Sequence, residues 1–150
     1  MIEFTVYPER IVAQPRIKAR RRGNFVQVYT PQGPRIATYK ALIAETFMQV
    51  APEGFVAFKG PLRLSITYSF KRPAARMRES EFHSCKPDDD NILKSFQDAL
   101  NGIAWHDDSQ ICDLHLTKRW APTYLGGKSG RKLMSDPSSI YICIEPLENE

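Results

Sequence analysis

The sequence of 150 residues has no apolar run that approaches the length of a membrane span, which takes about 20 consecutive residues. Its first ten residues, MIEFTVYPER, also lack the basic-then-apolar layout of a secretion signal. Only three cysteines are present, widely spaced at Cys85, Cys112 and Cys143. An odd number of cysteines without a secretion signal favours reduced thiols. We therefore expect a cytoplasmic protein that does not enter a membrane.

Ligands for zinc are also scarce. A structural zinc site needs paired ligands at short spacing, and the nearest approach is His83-x-Cys85 with Cys112-x-x-His115. Each pair falls on an expected strand or strand edge, where ordinary packing or a surface position is the commoner explanation. Zinc is therefore kept only as the minor alternative.

Acidic residues are few in the first half of the chain. Residues 1–40 contain eight Lys or Arg and two Asp or Glu, and residues 41–80 contain six and three. Residues 81–120 instead contain four and eight, although the whole chain has a net charge of +4. Basic surface around an acidic focus is typical of a protein that holds a polyanion and places a divalent metal on it. The alternative is solvation of two differently charged faces.

Alternation of apolar and polar residues predicts four strands, at 2–7, 62–70, 109–120 and 139–145. Helical periodicity predicts two helices, at 38–51 with Thr38 as N-cap and at 90–101 with Asp90 as N-cap. The stretches 8–36 and 121–138 are predicted to be loops, with a short strand or ordered arm at 25–29. This order indicates a single α+β domain, in which two helices pack on one face of a mixed or mostly antiparallel sheet.

Aspartates cluster around the second helix. Asp88, Asp89 and Asp90 stand at its start, and Asp107 and Asp108 follow its end. Clustered carboxylates repel one another, so their collection indicates a bound hard cation such as Mg²⁺, which prefers oxygen ligands. Mg²⁺ can activate water and stabilise the leaving oxygen in phosphodiester cleavage. The alternative is a helix N-terminus stabilised by acids, and we favour it for Asp89 alone.

The two aspartate clusters can only just meet. A helix over 91–101 is about 16 Å long, and 102–107 spans about 17–20 Å when extended. If this segment is not extended, the second pair comes from a partner subunit or approaches from another side. A calcium loop beginning at Asp88 is excluded, because Leu93 stands where glycine is required and Ala99 where glutamate is required. An Asp-x-Asp nucleotide-sugar enzyme is a minor alternative, for which the chain is short.

The segment KPDDDNILKSFQDALNGIAWHDDSQI resembles the signature of the RusA family of Holliday-junction resolvases. That signature is Pro-Asp-x-Asp-Asn-Leu-x-Lys, then Asp-Ala-Leu, then an aromatic residue shortly before Asp-Asp-x-Gln. The present sequence departs from it mildly, with Ile92 in place of the usual Leu. The resemblance implies one RusA-like endonuclease domain over 1–150. It also implies a Mg²⁺-dependent homodimer that cuts four-way DNA junctions by paired, symmetric nicks.

The resemblance also assigns roles to individual residues. Asp88, Asp90 and Asp108 match the metal-binding carboxylates, and Lys94 matches the essential lysine, which would offset charge on the phosphate. The alternative for Lys94 is a surface ion pair with Asp90 or Asp98. The role of Asp107 stays open. His83 and His106 flank the cluster and either could shuttle a proton, although a surface histidine beside an acidic loop is the commoner explanation.

Basic residues are expected to contact the DNA backbone without reading its sequence. The set comprises Arg16, Lys18, Arg20, Arg21, Arg22, Arg72, Arg76 and Arg78, and Lys128, Arg131 and Lys132 could extend it. Phe25, Tyr29 or Phe82 could stack on bases at an open junction centre, or could belong to the core or a strand surface. Two equivalent nicks favour a two-fold dimer.

Two other activities remain as alternatives: a nuclease acting on other branched DNA, and a junction-binding protein without catalysis. Family members are common in phages and prophages, so the expected setting is a bacterial cytoplasm.

Overall fold

The computed structural model describes residues 1–31 and 33–148. Along the chain these residues form β1 (Ile2–Val6), β2 (Lys18–Arg22), β3 (Phe25–Tyr29), α1 (Pro34–Val50), β4 (Leu62–Phe70), α2 (Asp89–Leu100), β5 (Ile111–Trp120), β6 (Thr123–Gly126), β7 (Lys132–Ser135) and β8 (Ser139–Pro146). Four strands form the main sheet in the order β1-β8-β4-β5. Only β4 and β5 are parallel, and the other two pairs are antiparallel. The predicted α+β fold with a mixed, mostly antiparallel sheet is confirmed.

One face of the sheet forms the core with both helices. In β4 every second residue is buried, from Leu62 to Phe70, so one face meets Phe47 of α1 and Phe96 of α2 in a single apolar cluster. The opposite face carries ion pairs. There Arg63 reaches Asp113 at 2.6 Å and Glu145 at 3.0 Å.

Both helices begin earlier than predicted. The first starts at Pro34 with Gly33 as its N-cap, because proline is well suited to the first helical position. Thr38, the predicted cap, lies inside the helix and donates its hydroxyl to the Pro34 carbonyl at 3.0 Å. The second starts at Asp89 with Asp88 as its N-cap, so Asp90 lies in the first turn instead of at the cap.

Helix α2 is the crossover between the parallel strands β4 and β5. A crossover helix runs back along its strands, so the start of α2 lies near the carboxyl ends of both. The carbonyl of Glu81, in the segment before α2, accepts a 2.7 Å hydrogen bond from the Trp120 amide at the end of β5. In α/β units the carboxyl ends of parallel strands are a common place for binding sites.

Two stretches predicted as loops contain β-hairpins. Strands β2 and β3 pair across a turn at Gly23, and β6 pairs with β7. The alternation rule missed β2 because its sequence is KARRR and all five residues are exposed, so no apolar face exists to be detected. Within residues 1–31 and 33–148, neither helix is long and apolar enough to cross a membrane.

Candidate active site

Asp88 stands at the N-cap of α2, and its backbone carbonyl accepts the first helical hydrogen bond from the Ile92 amide at 3.2 Å. Its carboxylate does not cap the helix. Instead Oδ2 accepts hydrogen bonds from Arg16 at 2.8 Å and from Lys86 at 2.9 Å. The Lys86 hydrogen bond holds the pKa of Asp88 below its ordinary value, and the charges of Lys86, Arg16 and Lys118 act in the same direction. Asp88 is therefore ionised at neutral pH.

Asp89 and Asp90 occupy the exposed first turn of α2. Oδ1 of Asp89 accepts from the Asp90 amide, and Oδ1 of Asp90 accepts from the Asn91 amide, both at 2.9 Å. Among the described residues, Oδ1 of Asp88 and the Oδ2 atoms of Asp89 and Asp90 have no hydrogen-bond partner. Three carboxylate oxygens at the start of one helix are thus available to an incoming cation.

The two residues of the second acidic pair, Asp107 and Asp108, differ in role, and Asp107 is the structural one. Asp107 caps a short 3₁₀ turn over Asp108–Gln110, and its Oδ1 accepts from the Ser109 amide at 2.8 Å. The Gln110 side chain completes the capping box by accepting from the Asp107 amide at 3.0 Å. The hydrogen bonds to Ser109 lower the pKa of Asp107. This geometry gives Asp107 a structural task, which the sequence had left open.

Asp108 faces the side of α2. Its Oδ1 accepts a 2.8 Å hydrogen bond from the indole of the fully buried Trp105, and its Oδ2 lies 3.7 Å from Nζ of Lys94. Lys94 also pairs with Asp98 at 2.8 Å. The hydrogen bond to Asp98 raises the pKa of Lys94, and Asp108 adds to the effect. Lys94 is therefore a fixed positive charge between two carboxylates.

The segment between the two clusters is folded and not extended. The Gly102 amide donates to the Trp105 carbonyl at 2.7 Å, and the Ile103 amide donates to the Leu100 carbonyl at 2.9 Å. Asp108 consequently meets α2 at Lys94, beyond the first turn. The structure brings Asp88 and Asp90 together at the helix start and Asp108 to Lys94. In the part of the chain described, it places no three Asp, Glu, His or Cys side chains as a ready metal-binding group.

The donor chemistry nevertheless fits Mg²⁺. This ion prefers oxygen and usually takes only one or two carboxylates, with water or phosphate filling the other positions. Asp88 and Asp90 meet that requirement with their two free oxygens. Lys94, the partner of Asp108, lies four residues after Asp90, which is a rise of about 6 Å along the helix axis.

Lys118 is a site residue that sequence reasoning missed. Its ammonium donates to the carbonyl of Cys85 at 2.8 Å and to that of Pro87 at 2.6 Å, so β5 anchors the segment that carries Asp88. One signal could have revealed it. Lys118 shares the inward register of β5 with Leu116 and Trp120, and a lysine among apolar side chains on that face needs polar partners.

The predicted DNA contacts separate into exposed and buried residues. Arg16, Lys18, Arg20, Arg21, Arg22, Arg76 and Arg78 are exposed, although Arg76 is paired with Glu79 at 3.0 Å. Arg72 was predicted to contact phosphate and is instead buried. Its guanidinium donates to the carbonyls of Arg76, Glu79 and Ser80 at 2.7 to 3.3 Å. A side chain held by three carbonyls shapes the loop before α2.

The two histidines near the cluster differ in burial. His83 is buried, with its ring stacked on that of Phe70 at 4.0 Å between ring centres and tilted against that of Trp120 at 4.3 Å. Its Nε2 lies 3.6 Å from Sγ of Cys85. It is therefore not the surface histidine that was expected. His106 is exposed. Of the second candidate zinc pair, Cys112 is exposed and His115 pairs with Asp113 at 2.9 Å.

The chain is similar to known proteins over most of its length. A family model described as endodeoxyribonuclease RusA matches residues 8–125, which include Asp88, Asp90, Asp108 and Lys94. A curated protein of Bacillus subtilis (strain 168), described as uncharacterized protein YqaN, is 33% identical over 123 residues. The match covers 78% of the present chain and 86% of that protein.

Proposed function

Because the chain belongs to the RusA family of endodeoxyribonucleases, we propose that it is a Mg²⁺-dependent homodimer that resolves four-way DNA junctions by paired, symmetric nicks. One observation carries the proposal. Asp88 and Asp90 stand at the exposed start of α2, and Lys94, further along that helix, lies 3.7 Å from Asp108 of the later 3₁₀ turn. All of them lie in one RusA-like domain, which we take to cover 1–150.

In this proposal Asp88 and Asp90 would hold Mg²⁺ through their free oxygens, and Asp108 would complete the ligand set. When bound, the ion would supply an attacking water of lowered pKa and neutralise charge on the phosphate. Lys94 would offset the negative charge that grows on the scissile phosphate. Trp105 orients Asp108 through the 2.8 Å hydrogen bond.

Exposed basic side chains would position the DNA backbone around this site. Arg16 lies directly beside Asp88, and Lys18, Arg20, Arg22 and Arg78 extend the positive surface. Contacts of this type fix the register of the DNA without reading bases.

Two equivalent nicks across a two-fold junction favour a C₂ dimer. Three free thiols suit a reducing bacterial cytoplasm, where we place the activity, including in a phage or prophage setting.

The test is incubation of the purified protein with a synthetic four-way junction and with a linear duplex of matched sequence, with and without Mg²⁺. We expect symmetric nicks on the junction alone, and only with Mg²⁺. Asp90→Asn should reduce cleavage by about 100-fold or more and retain junction binding in EDTA. Asp89→Asn is the matched control, because Asp89 is an exposed acid in the same helical turn and should leave cleavage within about twofold.

The outcomes separate the alternatives. Cleavage of three-way junctions or flaps in preference to four-way junctions would indicate a nuclease for other branched DNA. Tight binding in EDTA without cleavage on addition of Mg²⁺ would indicate a binding protein. Full cleavage by the Asp90→Asn variant would remove Asp90 from the catalytic set.

A further inference from the structure

The hairpin β2–β3 has two faces of different chemistry. Both strands are open to solvent, and Gln27 alone among their ten residues is half-buried. Residues paired across an antiparallel ribbon project to the same side. One side, the basic–aromatic face, therefore carries three pairs: Lys18 with Tyr29, Arg20 with Gln27, and Arg22 with Phe25. The other side, the valine face, carries Ala19 with Val28 and Arg21 with Val26.

Arg20 is fixed in place on the basic–aromatic face. Its guanidinium lies 5.2 Å from the ring centre of Tyr29, and its Nε donates to Oε1 of Gln27 at 3.0 Å. These contacts use one nitrogen and leave the two terminal nitrogens without a partner among the described residues. A guanidinium held this way presents a pair of donors that matches a phosphate.

Arg21 does not share this arrangement, although it is the neighbouring residue. It projects to the valine face, and its Nε donates back to the Gly23 carbonyl at 3.2 Å. The three arginines of KARRR are therefore not equivalent, which the sequence alone does not reveal. Two of them belong to the face with aromatic rings.

Phe25 is the most open ring on the basic–aromatic face. Its exposure is 64%, against 36% for Tyr29, whose ring carries the Arg20 guanidinium. The hairpin from 18 to 29 contains four Lys or Arg and no Asp or Glu, so a polyanion suits it better than an acidic or neutral protein surface would. An aromatic ring flanked by cations is the pattern used by surfaces that stack on unpaired bases.

We propose that the basic–aromatic face binds unpaired bases at a DNA branch point, with Phe25 stacked on a base and Arg20 and Arg22 on the flanking phosphates. The inference rests on the proposed function and adds a source of selectivity to it. A fully paired duplex offers phosphates to the arginines and no free base face to Phe25. The hairpin would therefore favour branched over linear DNA before any bond is cut.

The experiment measures binding in EDTA, so that cleavage plays no part. The probes are a four-way junction with two unpaired nucleotides at its centre and a fully paired duplex of equal length. Phe25→Ala should lower the ratio of junction to duplex affinity about tenfold, the effect of losing one stacked base, and Phe25→Tyr should restore it. Arg20→Ala should weaken the binding of both probes. It should also reduce, by about one, the slope of log affinity against log salt concentration.

The matched control is Val26→Ala, because Val26 has the same 64% exposure on the valine face. It should leave the affinity ratio unchanged. An equal effect of Phe25→Ala and Val26→Ala, an unchanged ratio in Phe25→Ala, or no preference of the wild-type chain for the junction would overturn the inference. A chain that binds the junction selectively and never cuts it with Mg²⁺ would instead count against the proposed nuclease function and leave this inference intact.

Discussion

The ammonium of Lys118 lies 2.6 Å from the carbonyl oxygen of Pro87, the residue directly before Asp88. A second hydrogen bond of 2.8 Å joins the same ammonium to the carbonyl of Cys85. Strand β5 thus holds the segment from which the first aspartate of the site projects. The position of Asp88 depends on a residue 30 places further along the chain, in a strand that carries none of the other site residues.

We expect Lys118→Met to reduce cleavage about tenfold and to raise the Mg²⁺ concentration needed for half-maximal activity. Methionine fills the same space and cannot bind the two carbonyls, so Asp88 loses its support. Lys86→Met is the control, because this substitution also removes a positive charge beside Asp88. The exposed ammonium of Lys86 contacts the Asp88 carboxylate and neither of the two carbonyls. If both variants shift the Mg²⁺ dependence equally, Lys118 acts through its charge alone.

Trp105→Phe should test whether the indole N–H group orients Asp108. Phenylalanine retains much of the buried ring and lacks the N–H group that donates to Oδ1 of Asp108 at 2.8 Å. We expect the free energy of unfolding to fall by about 1–3 kcal/mol and cleavage to fall with it, measured by urea denaturation and by junction cleavage under folding conditions. Asp108→Asn should lose cleavage at near wild-type stability, since an amide oxygen still accepts from Trp105.

Much of the fold was open to prediction because its core strands alternate. Strand β4 was predicted at 62–70 and occupies those residues, since alternate side chains from Leu62 to Phe70 are buried. Hairpin β2–β3 was not predicted in full, because a ribbon that is exposed on both faces has no apolar register to detect. The prediction failed where burial does not determine the structure.

The site was predictable in composition and less so in arrangement. The aspartates and Lys94 were chosen from their spacing and resemblance, and the structure shows Lys94 in contact with Asp108. The folding of 102–107 into turns could not be foreseen, because chain length limits only the greatest reach of a segment. Arg72 shows the same limit, since nothing local distinguishes a buried arginine that binds carbonyls from an exposed one that binds phosphate.

Arg72→Met and Arg78→Ala should affect different properties. Loss of the Arg72 guanidinium leaves three carbonyls without their donor, so we expect a loss of about 2–4 kcal/mol in the free energy of unfolding. Arg78 is exposed, and its removal should change stability by no more than about 0.5 kcal/mol and lower the salt slope of DNA binding. A stable Arg72→Met variant with weaker DNA binding would return Arg72 to the DNA-contacting set.

Titration of His83 should make the free energy of unfolding depend on pH, in a pH range above that in which carboxylates titrate. Burial between Phe70 and Trp120 lowers the pKa of His83 from its ordinary 6.5, and the charges of Lys118 and Arg76 act in the same direction. As pH falls below about 6.5, the unfolded chain takes up a proton that the folded chain does not. The free energy of unfolding should therefore be highest above this pH. It should fall as the pH is lowered, until the pH is below the pKa of His83 in the folded chain.

The measurement is the urea midpoint at pH 7.5, 6.5 and 5.5. His83→Gln should be less stable at pH 7.5, because the stacked ring is lost, and should show a smaller decline toward pH 5.5. His106→Gln is the control, since His106 is exposed and its loss should leave the decline unchanged. An equal decline in the His83→Gln variant and the wild type would show that another group is responsible.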